Sequence, residues 1–98
     1  MQQEGDLDYT MIKTIGFARE WFQDLLSGRA KNIAEIASRE NIDRGDVNKR
    51  LLLAFLAPEI IEAIVAGEQP ADLSTEKLVK RIDLPLEWGE QKRLLNVV

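Results

Sequence analysis

The sequence predicts an all-α fold, a compact bundle of about six helices that contains a helix-turn-helix. Apolar residues recur at three- and four-residue steps, capping residues stand between the apolar stretches, and no segment alternates apolar and polar residues as a strand would. The length of 98 residues allows one core. We therefore expect a disordered segment over residues 1–7 and a single helical domain over residues 8–98.

The first two helices have recognisable capping residues. The first is expected over residues 8–27, with Asp8 as the N-cap and Gly28 after its end. Its apolar stripe consists of Met11, Ile12, Ile15, Phe22, Leu25 and Leu26. The second helix is expected to begin near Asn32 and to end near Asn41, because asparagine tolerates the positive φ of a tight turn.

The third and fourth helices are expected on either side of a proline. Asp43 is the predicted N-cap of a third helix that runs to Leu56, with Asp46 three residues on as part of a capping box. Pro58 suits the first turn of a fourth helix that ends before Gly67. Its apolar positions are Ile60, Ile61, Ile64 and Val65.

Two further helices are expected after a loop over residues 67–73. Ser74 is the predicted N-cap of the fifth, and Leu73 and Leu78 have the spacing of a hydrophobic staple around that cap. Pro85 should end this helix, which also carries Val79 and Ile82. A last short helix is expected over residues 86–96.

The composition excludes most catalytic and metal chemistry. The chain has no cysteine and no histidine, so disulfides, thiol nucleophiles, imidazole bases and the usual zinc sites are ruled out. Ser27, Ser38 and Ser74 fall at a helix end, within a helix and at a cap, and no glycine-rich phosphate loop is present. We therefore expect no enzyme activity, no cofactor, no metal and no small-molecule substrate.

The charge is unevenly distributed. The net charge is −4, which argues against a protein that coats nucleic acid indiscriminately. Residues 29–50 nevertheless carry six basic and four acidic side chains, a local +2. Since no stretch is long and apolar enough to span a bilayer and the beginning MQQEGDLD is acidic, we expect a cytoplasmic, nucleoid-associated location and no membrane partner.

The segment NIAEIASRENIDRGDVNKRL, residues 32–51, has the pattern of a helix-turn-helix. Five positions are spaced to fill the angle between two helices: Ile36, Ala37, Ile42, Val47 and Leu51. Four residues should then project from the front of the second helix as base readers: Arg44, Gly45, Asn48 and Lys49. Four others suit contacts to DNA phosphates: Lys31, Asn32, Arg39 and Arg50.

The same residues and those after them resemble a bacterial arrangement. IAEIASRENIDRGDVNKRL, then LAFLAPEIIEAIVAGEQPADLS and DLPLEWGEQKRLL, resemble the C-terminal DNA-binding tail of serine recombinases of the resolvase/invertase family. The likeness covers about residues 24–95, and a looser likeness extends to ParB-type partition proteins. It implies target-site recognition, with strand cleavage carried out by a separate domain that bears a nucleophilic serine. Where the family tends to carry a hydroxyl and an aromatic residue, this chain has Gly45 and Asp46.

Two functions from different classes remain open at this stage. The first is a sequence-specific DNA-binding domain, as a small regulator or as the targeting tail of a recombinase, with double-stranded DNA as its partner. The second is a helical interaction or dimerisation module without DNA binding, favoured by the sequence pI near 4.8. The end of the third helix is apolar around most of its circumference, which suits core packing, a homodimer interface, or both: Leu51, Leu52, Leu53, Phe55 and Leu56.

Overall fold

The all-α prediction is confirmed. The computed structural model describes residues 7–81 and 83–97, and these residues form helices and loops without any strand. Five α-helices follow one another, with a 3₁₀ turn after the third and a π-helical turn before the last: α1 Tyr9–Ser27, α2 Ile33–Glu40, α3 Arg44–Leu51, the 3₁₀ turn Leu52–Phe55, α4 Pro58–Val65, the π turn Lys77–Arg81 and α5 Trp88–Leu95. The predicted disordered segment lies, except for Leu7, outside the described residues, as does Ile82.

Most helix ends are fixed by the capping residues that the sequence predicts. The Asp8 carboxylate accepts the Met11 amide at 3.0 Å, and the Ser74 hydroxyl accepts the Lys77 amide at 3.0 Å. Gly28 closes α1 at φ 84°, a left-handed conformation that glycine adopts without steric cost. Asn41 closes α2 in the same region at φ 60°.

Other predicted boundaries were wrong. α3 ends at Leu51 and continues only as the 3₁₀ turn, because the chain must become extended at Leu56 and Ala57 to enter Pro58. Asp43 occupies the N-cap position of α3, but its side chain makes no capping hydrogen bond. α5 begins at Trp88 rather than at residue 86, since the Glu87 carboxylate accepts the Glu90 amide at 2.7 Å and caps the helix there.

The core consists of two clusters, and α1 contributes to both. The cluster built on the first half of α1 packs against the later helices and contains Met11, Ile15, Ala18, Leu53, Leu56, Ala57, Ile60, Ile64, Leu73, Leu78, Val79, Leu84 and Leu95. The cluster built on the second half packs α1 against α2 and α3 and contains Trp21, Ala30, Ile36, Ala37, Val47 and Leu51. The apolar end of the third predicted helix is therefore mostly core, with Leu51, Leu53 and Leu56 buried.

A single glutamine holds α5 against the break between the 3₁₀ turn and α4. Gln91 is 0% exposed, and its side-chain oxygen accepts the Ala57 amide at 2.8 Å. Its amide nitrogen donates to the carbonyls of Phe55 at 3.1 Å and Pro85 at 2.7 Å. The Trp88 indole also donates to the Phe55 carbonyl at 3.2 Å. The bonds to Phe55 and Ala57 satisfy backbone groups that the extended residues before Pro58 leave without helical partners, and the bond to Pro85 ties the start of α5 to the preceding loop.

None of the helices in the described ranges is both long and apolar enough to cross a lipid bilayer.

The role of Gln91 can be tested by replacing it with a side chain of similar size. Gln91→Leu should lower the free energy of unfolding by roughly 1–3 kcal/mol or more, because the buried Ala57 amide loses its acceptor. Urea unfolding followed by circular dichroism measures the change. Gln23→Leu, the same replacement at an exposed position of α1, is the control and should have little effect. Equal stability of the two variants would contradict the role assigned to Gln91.

Candidate nucleic-acid interface

Helices α2 and α3 are joined by a tight turn of three residues. Asn41 takes the left-handed conformation, and its amide donates to the carbonyls of Ala37 and Ser38. The Ile42 amide donates to the Ala37 carbonyl at 3.0 Å, which turns the chain directly after α2. The turn therefore satisfies the last carbonyls of α2 while redirecting the chain into α3.

The five residues predicted to fill the angle between the helices do so. Val47 is 0% exposed, and it belongs with Ile36, Ala37 and Leu51 to the cluster completed by Trp21 of α1. Ile42 is half-buried and packs against the same cluster. Because Val47 and Leu51 lie one turn apart on the inner side of α3, Asn48 and Lys49 between them project outward.

The predicted base-reading residues share the outer side of α3. Arg44, Gly45, Asn48 and Lys49 are all exposed. Their four-residue spacing forms two adjacent rows, one with Arg44 and Asn48 and one with Gly45 and Lys49. A shallow groove runs between the first row and the start of α2, and it is lined by Asn32, Ile33, Ala34, Arg44 and Asn48. Donor groups thus face solvent from one side of the unit.

The start of α2 carries two of the predicted phosphate-binding residues. Lys31 and Asn32 are exposed. The Asn32 side-chain oxygen accepts the Glu35 amide at 2.9 Å, and the Glu35 carboxylate accepts the Lys31 amide at 2.6 Å. This reciprocal capping leaves the Asn32 side-chain amide group as a donor, and it also places a carboxylate at the helix N-terminus. The carboxylate opposes the approach of an anion to this end of α2.

Arg39 forms an ion pair with Asp24, a residue that the sequence pattern did not single out. Asp24, at the end of α1, is 7% exposed, and its two carboxylate oxygens accept from Arg29 at 2.9 Å and from Arg39 at 3.0 Å. Arg39 also lies 3.6 Å from the Glu40 carboxylate. Its charge is therefore largely compensated within the chain. The one feature of the sequence that could have indicated these ion pairs is the position of Asp24, one turn after Trp21 and at the edge of the apolar stripe.

The hydrogen bond from Arg29 and the charge of both arginines hold the pKa of Asp24 below its ordinary value of 3.8, against the opposing effect of burial. Asp24 is therefore ionised at neutral pH and joins the end of α1 to α2. This ion-paired group fixes the position of the helix-turn-helix relative to α1.

Arg50, the remaining predicted phosphate contact, lies apart from the outer rows. It is half-buried, and its Nε atom is buried without a hydrogen-bond partner among the described residues. Asp46, one turn earlier, is also half-buried. Helical spacing places both on the flank of α3, away from Lys49.

Other residues considered in the sequence have structural surroundings. The Ser27 hydroxyl donates to the Asp24 carbonyl, and the Ser74 hydroxyl caps the helical residues at the start of the π turn Lys77–Arg81. Trp21 is buried in the helix-turn-helix cluster, whereas Trp88 is 52% exposed. Within residues 7–81 and 83–97, no group of three or more acidic side chains is placed to hold a metal ion.

Comparisons of the chain with protein-family models, with curated proteins and with solved structures found no match.

The ion-paired group at Asp24 predicts a specific pH dependence of stability. A carboxyl group with a lowered pKa stabilises the fold above its unfolded value of 3.8, and this contribution is lost as the pH falls through the lowered value. Asp24→Asn should therefore be less stable than the wild type at neutral pH, and the difference should shrink on acidification. Urea titrations at neutral pH and at about pH 3 measure it.

Asp83→Asn is the matched control, since the described residues provide no ion-pair partner for this exposed aspartate. Its stability relative to the wild type should not change with pH. A difference between Asp24→Asn and the wild type that stays constant on acidification would contradict the assignment.

Proposed function

We propose that this chain is a sequence-specific DNA-binding domain in which α3 enters the major groove. The observation that carries the proposal is the placement of Arg44, Gly45, Asn48 and Lys49 on the outer side of a helix whose inner side is fixed by Val47. A helix of this kind, braced by a second helix across a tight turn, fits the major groove of B-DNA.

The exposed side chains have the chemistry for reading base edges. An arginine at residue 44 can donate two hydrogen bonds to the O6 and N7 atoms of guanine, and an asparagine at residue 48 can pair with N6 and N7 of adenine. Lys49 can reach guanine or a phosphate. Gly45 lacks a side chain, so the helix backbone can approach the DNA closely in the row that includes Lys49.

Phosphate contacts would come mainly from the side chains of Lys31 and Asn32 and not from the N-terminal amides of α2, where the Glu35 carboxylate opposes an anion. Lys31 and Asn32 are exposed beside the groove that contains Arg44 and Asn48, so they are placed to contact one DNA strand while α3 reads the bases. Arg39 contributes less in this arrangement, because Asp24 and Glu40 already compensate its charge. The net charge of −4 opposes indiscriminate binding to DNA. In this proposal the affinity therefore depends mainly on the contacts made by the outer side of α3.

The resemblance to serine recombinase tails leads us to propose target-site recognition, with the chain acting as a targeting tail or as a small regulator. Two segments that carry that resemblance, LAFLAPEIIEAI and DLPLEWGEQ, contact each other through Gln91 and Trp88. They therefore belong to one structural unit next to the helix-turn-helix. In this proposal the chain binds DNA and strand cleavage belongs to a separate domain.

The proposed face predicts which basic residues matter for binding. Arg44→Ala and Lys49→Ala should each weaken DNA binding at least several-fold, because each removes a donor to the bases or the backbone. The measurement is fluorescence anisotropy of a labelled mixed-sequence duplex at low and moderate salt, followed by selection of a preferred site and a repeat on that site.

Arg93→Ala and Lys13→Ala are the matched controls, since both residues are exposed, distant in sequence from α3 and without ion pairs among the described residues. They remove the same charges and should leave affinity nearly unchanged. Equal losses from all four substitutions would show that binding follows net charge and not the face of α3. Absence of salt-sensitive binding by the wild type would favour the interaction module instead.

A substitution at Gly45 can distinguish an effect on stability from an effect on DNA binding. A β-carbon added at this position meets nothing within 4 Å, and the backbone is not in the left-handed region. Gly45→Ala should therefore raise the free energy of unfolding by at most about 0.5–1 kcal/mol, because alanine favours the helix but residue 45 lies in its first turn. If the backbone approaches DNA here, the same variant should bind the selected site more weakly. Greater stability with unchanged affinity would rule out close approach at Gly45.

A further inference from the structure

An apolar groove lies between α1 and α4, on a part of the molecule distinct from the outer side of α3. It is lined toward one end by Ile12, Ile15, Gly16, Ile61, Ile64 and Val65. The other end continues past Arg19 to Ala54, Leu56, Pro58 and Trp88. Val65 is 55% exposed, so part of this apolar lining faces solvent. Apolar surface that is continuous over two helices is typical of a docking site.

Gly16 is a second observation that indicates a helix packed here from outside. It lies in the middle of α1, where glycine disfavours the helix, and its backbone is not left-handed. A β-carbon added to it meets nothing within 4 Å, so no contact inside the chain requires the small residue. A glycine at this point lets another helix approach the backbone of α1 closely.

The charges beside the groove indicate which partner fits. Arg19 on α1 and Glu62 on α4 are both exposed and both line the same end of the groove. Neither forms an ion pair with any residue that the structure describes. The groove therefore has a base on one side and an acid on the other. A second copy of this surface, turned so that its basic side faces the acidic side of the first copy, is therefore complementary in charge.

We propose that the groove is the interface of a homodimer, in which α1 of each copy lies over α4 of the other. Arg19 is near the α4 residues Pro58 and Ile61, whereas Ile12 is near Val65, so the two helices run in opposite directions along the groove. A two-fold axis parallel to the groove places α1 over the other copy's α4. It also brings Arg19 opposite the partner's Glu62, twice in each dimer.

This arrangement forms a four-helix contact with antiparallel neighbours, and the open space at Gly16 receives side chains of the other copy's α4. The proposal does not depend on DNA binding. It also differs from the apolar end of the third predicted helix, most of which the core of the single chain covers. Dimerisation would present two copies of α3 to a ligand with two-fold symmetry.

The first test is sedimentation equilibrium of the wild type and of Gly16→Leu, from micromolar to high micromolar concentrations. The wild type should show a reversible monomer–dimer equilibrium. Gly16→Leu should be monomeric over the same range, because the new side chain fills the groove. Urea unfolding at a concentration at which both proteins are monomeric should show a variant at least as stable as the wild type. A wild type that stays monomeric throughout would overturn the proposal.

The second test reverses the charge at Arg19 or at Glu62 and then combines the two variants. Arg19→Glu and Glu62→Arg should each raise the dissociation constant of the dimer about tenfold or more, since each places like charges opposite one another twice. An equimolar mixture of the two variants should associate more strongly than either alone, because the heterodimer restores two opposite-charge pairs. The double variant Arg19→Glu with Glu62→Arg should recover the affinity of the wild type.

Arg93→Glu is the matched control for Arg19→Glu, since it makes the same charge change at an exposed site outside the groove and should leave the dimer intact. A mixture of the two single variants that associates no better than its components would overturn the proposed pairing. So would equal weakening by Arg93→Glu, because the effect would then follow net charge.

Discussion

The burial of one side of α1 is the constraint on which the rest of the structure depends. Met11, Ile15 and Ala18 of this helix complete the cluster shared with the later helices, and Trp21 completes the cluster shared with α2 and α3. A chain of this size has limited apolar surface, so the two clusters are stabilised by a common helix. As a result, α2 and α3 are fixed relative to the whole bundle and not merely to each other.

Ion pairs at the end of α1 also help to fix α2 relative to α1. Asp24 pairs with both Arg29 and Arg39, and together with Glu40 it balances two charges that would otherwise add to the positive charge around the helix-turn-helix. Among the described residues, the basic groups nearby that form no ion pair are Lys31, just before α2, Arg44 and Lys49 on the outer side of α3, and the half-buried Arg50 on its flank. In the proposed function this distribution restricts the attraction for DNA to the side that reads bases, and the acidic remainder of the chain opposes binding elsewhere.

Much of the fold could be predicted from the sequence because its determinants are local. Asp8, Asn32 and Ser74 cap helices through bonds that span three residues, and Gly28 and Asn41 end helices through their own backbone conformations. The apolar spacing of residues 36–51 likewise predicted which side of α3 is buried. The exposed candidates on its outer side follow from that spacing, since a helix that buries Val47 must expose Lys49.

By itself, then, the sequence determined the all-α class, most helix ends and the outer side of the helix-turn-helix. Only the tertiary structure decided that Gln91 binds backbone groups more than thirty residues away, that Asp24 compensates Arg39, and that Gly16, Arg19 and Glu62 border one groove. The physical reason is the range of the interactions. Periodicity and capping act within about one or two helical turns, whereas these contacts join helices whose separation in space no local pattern specifies.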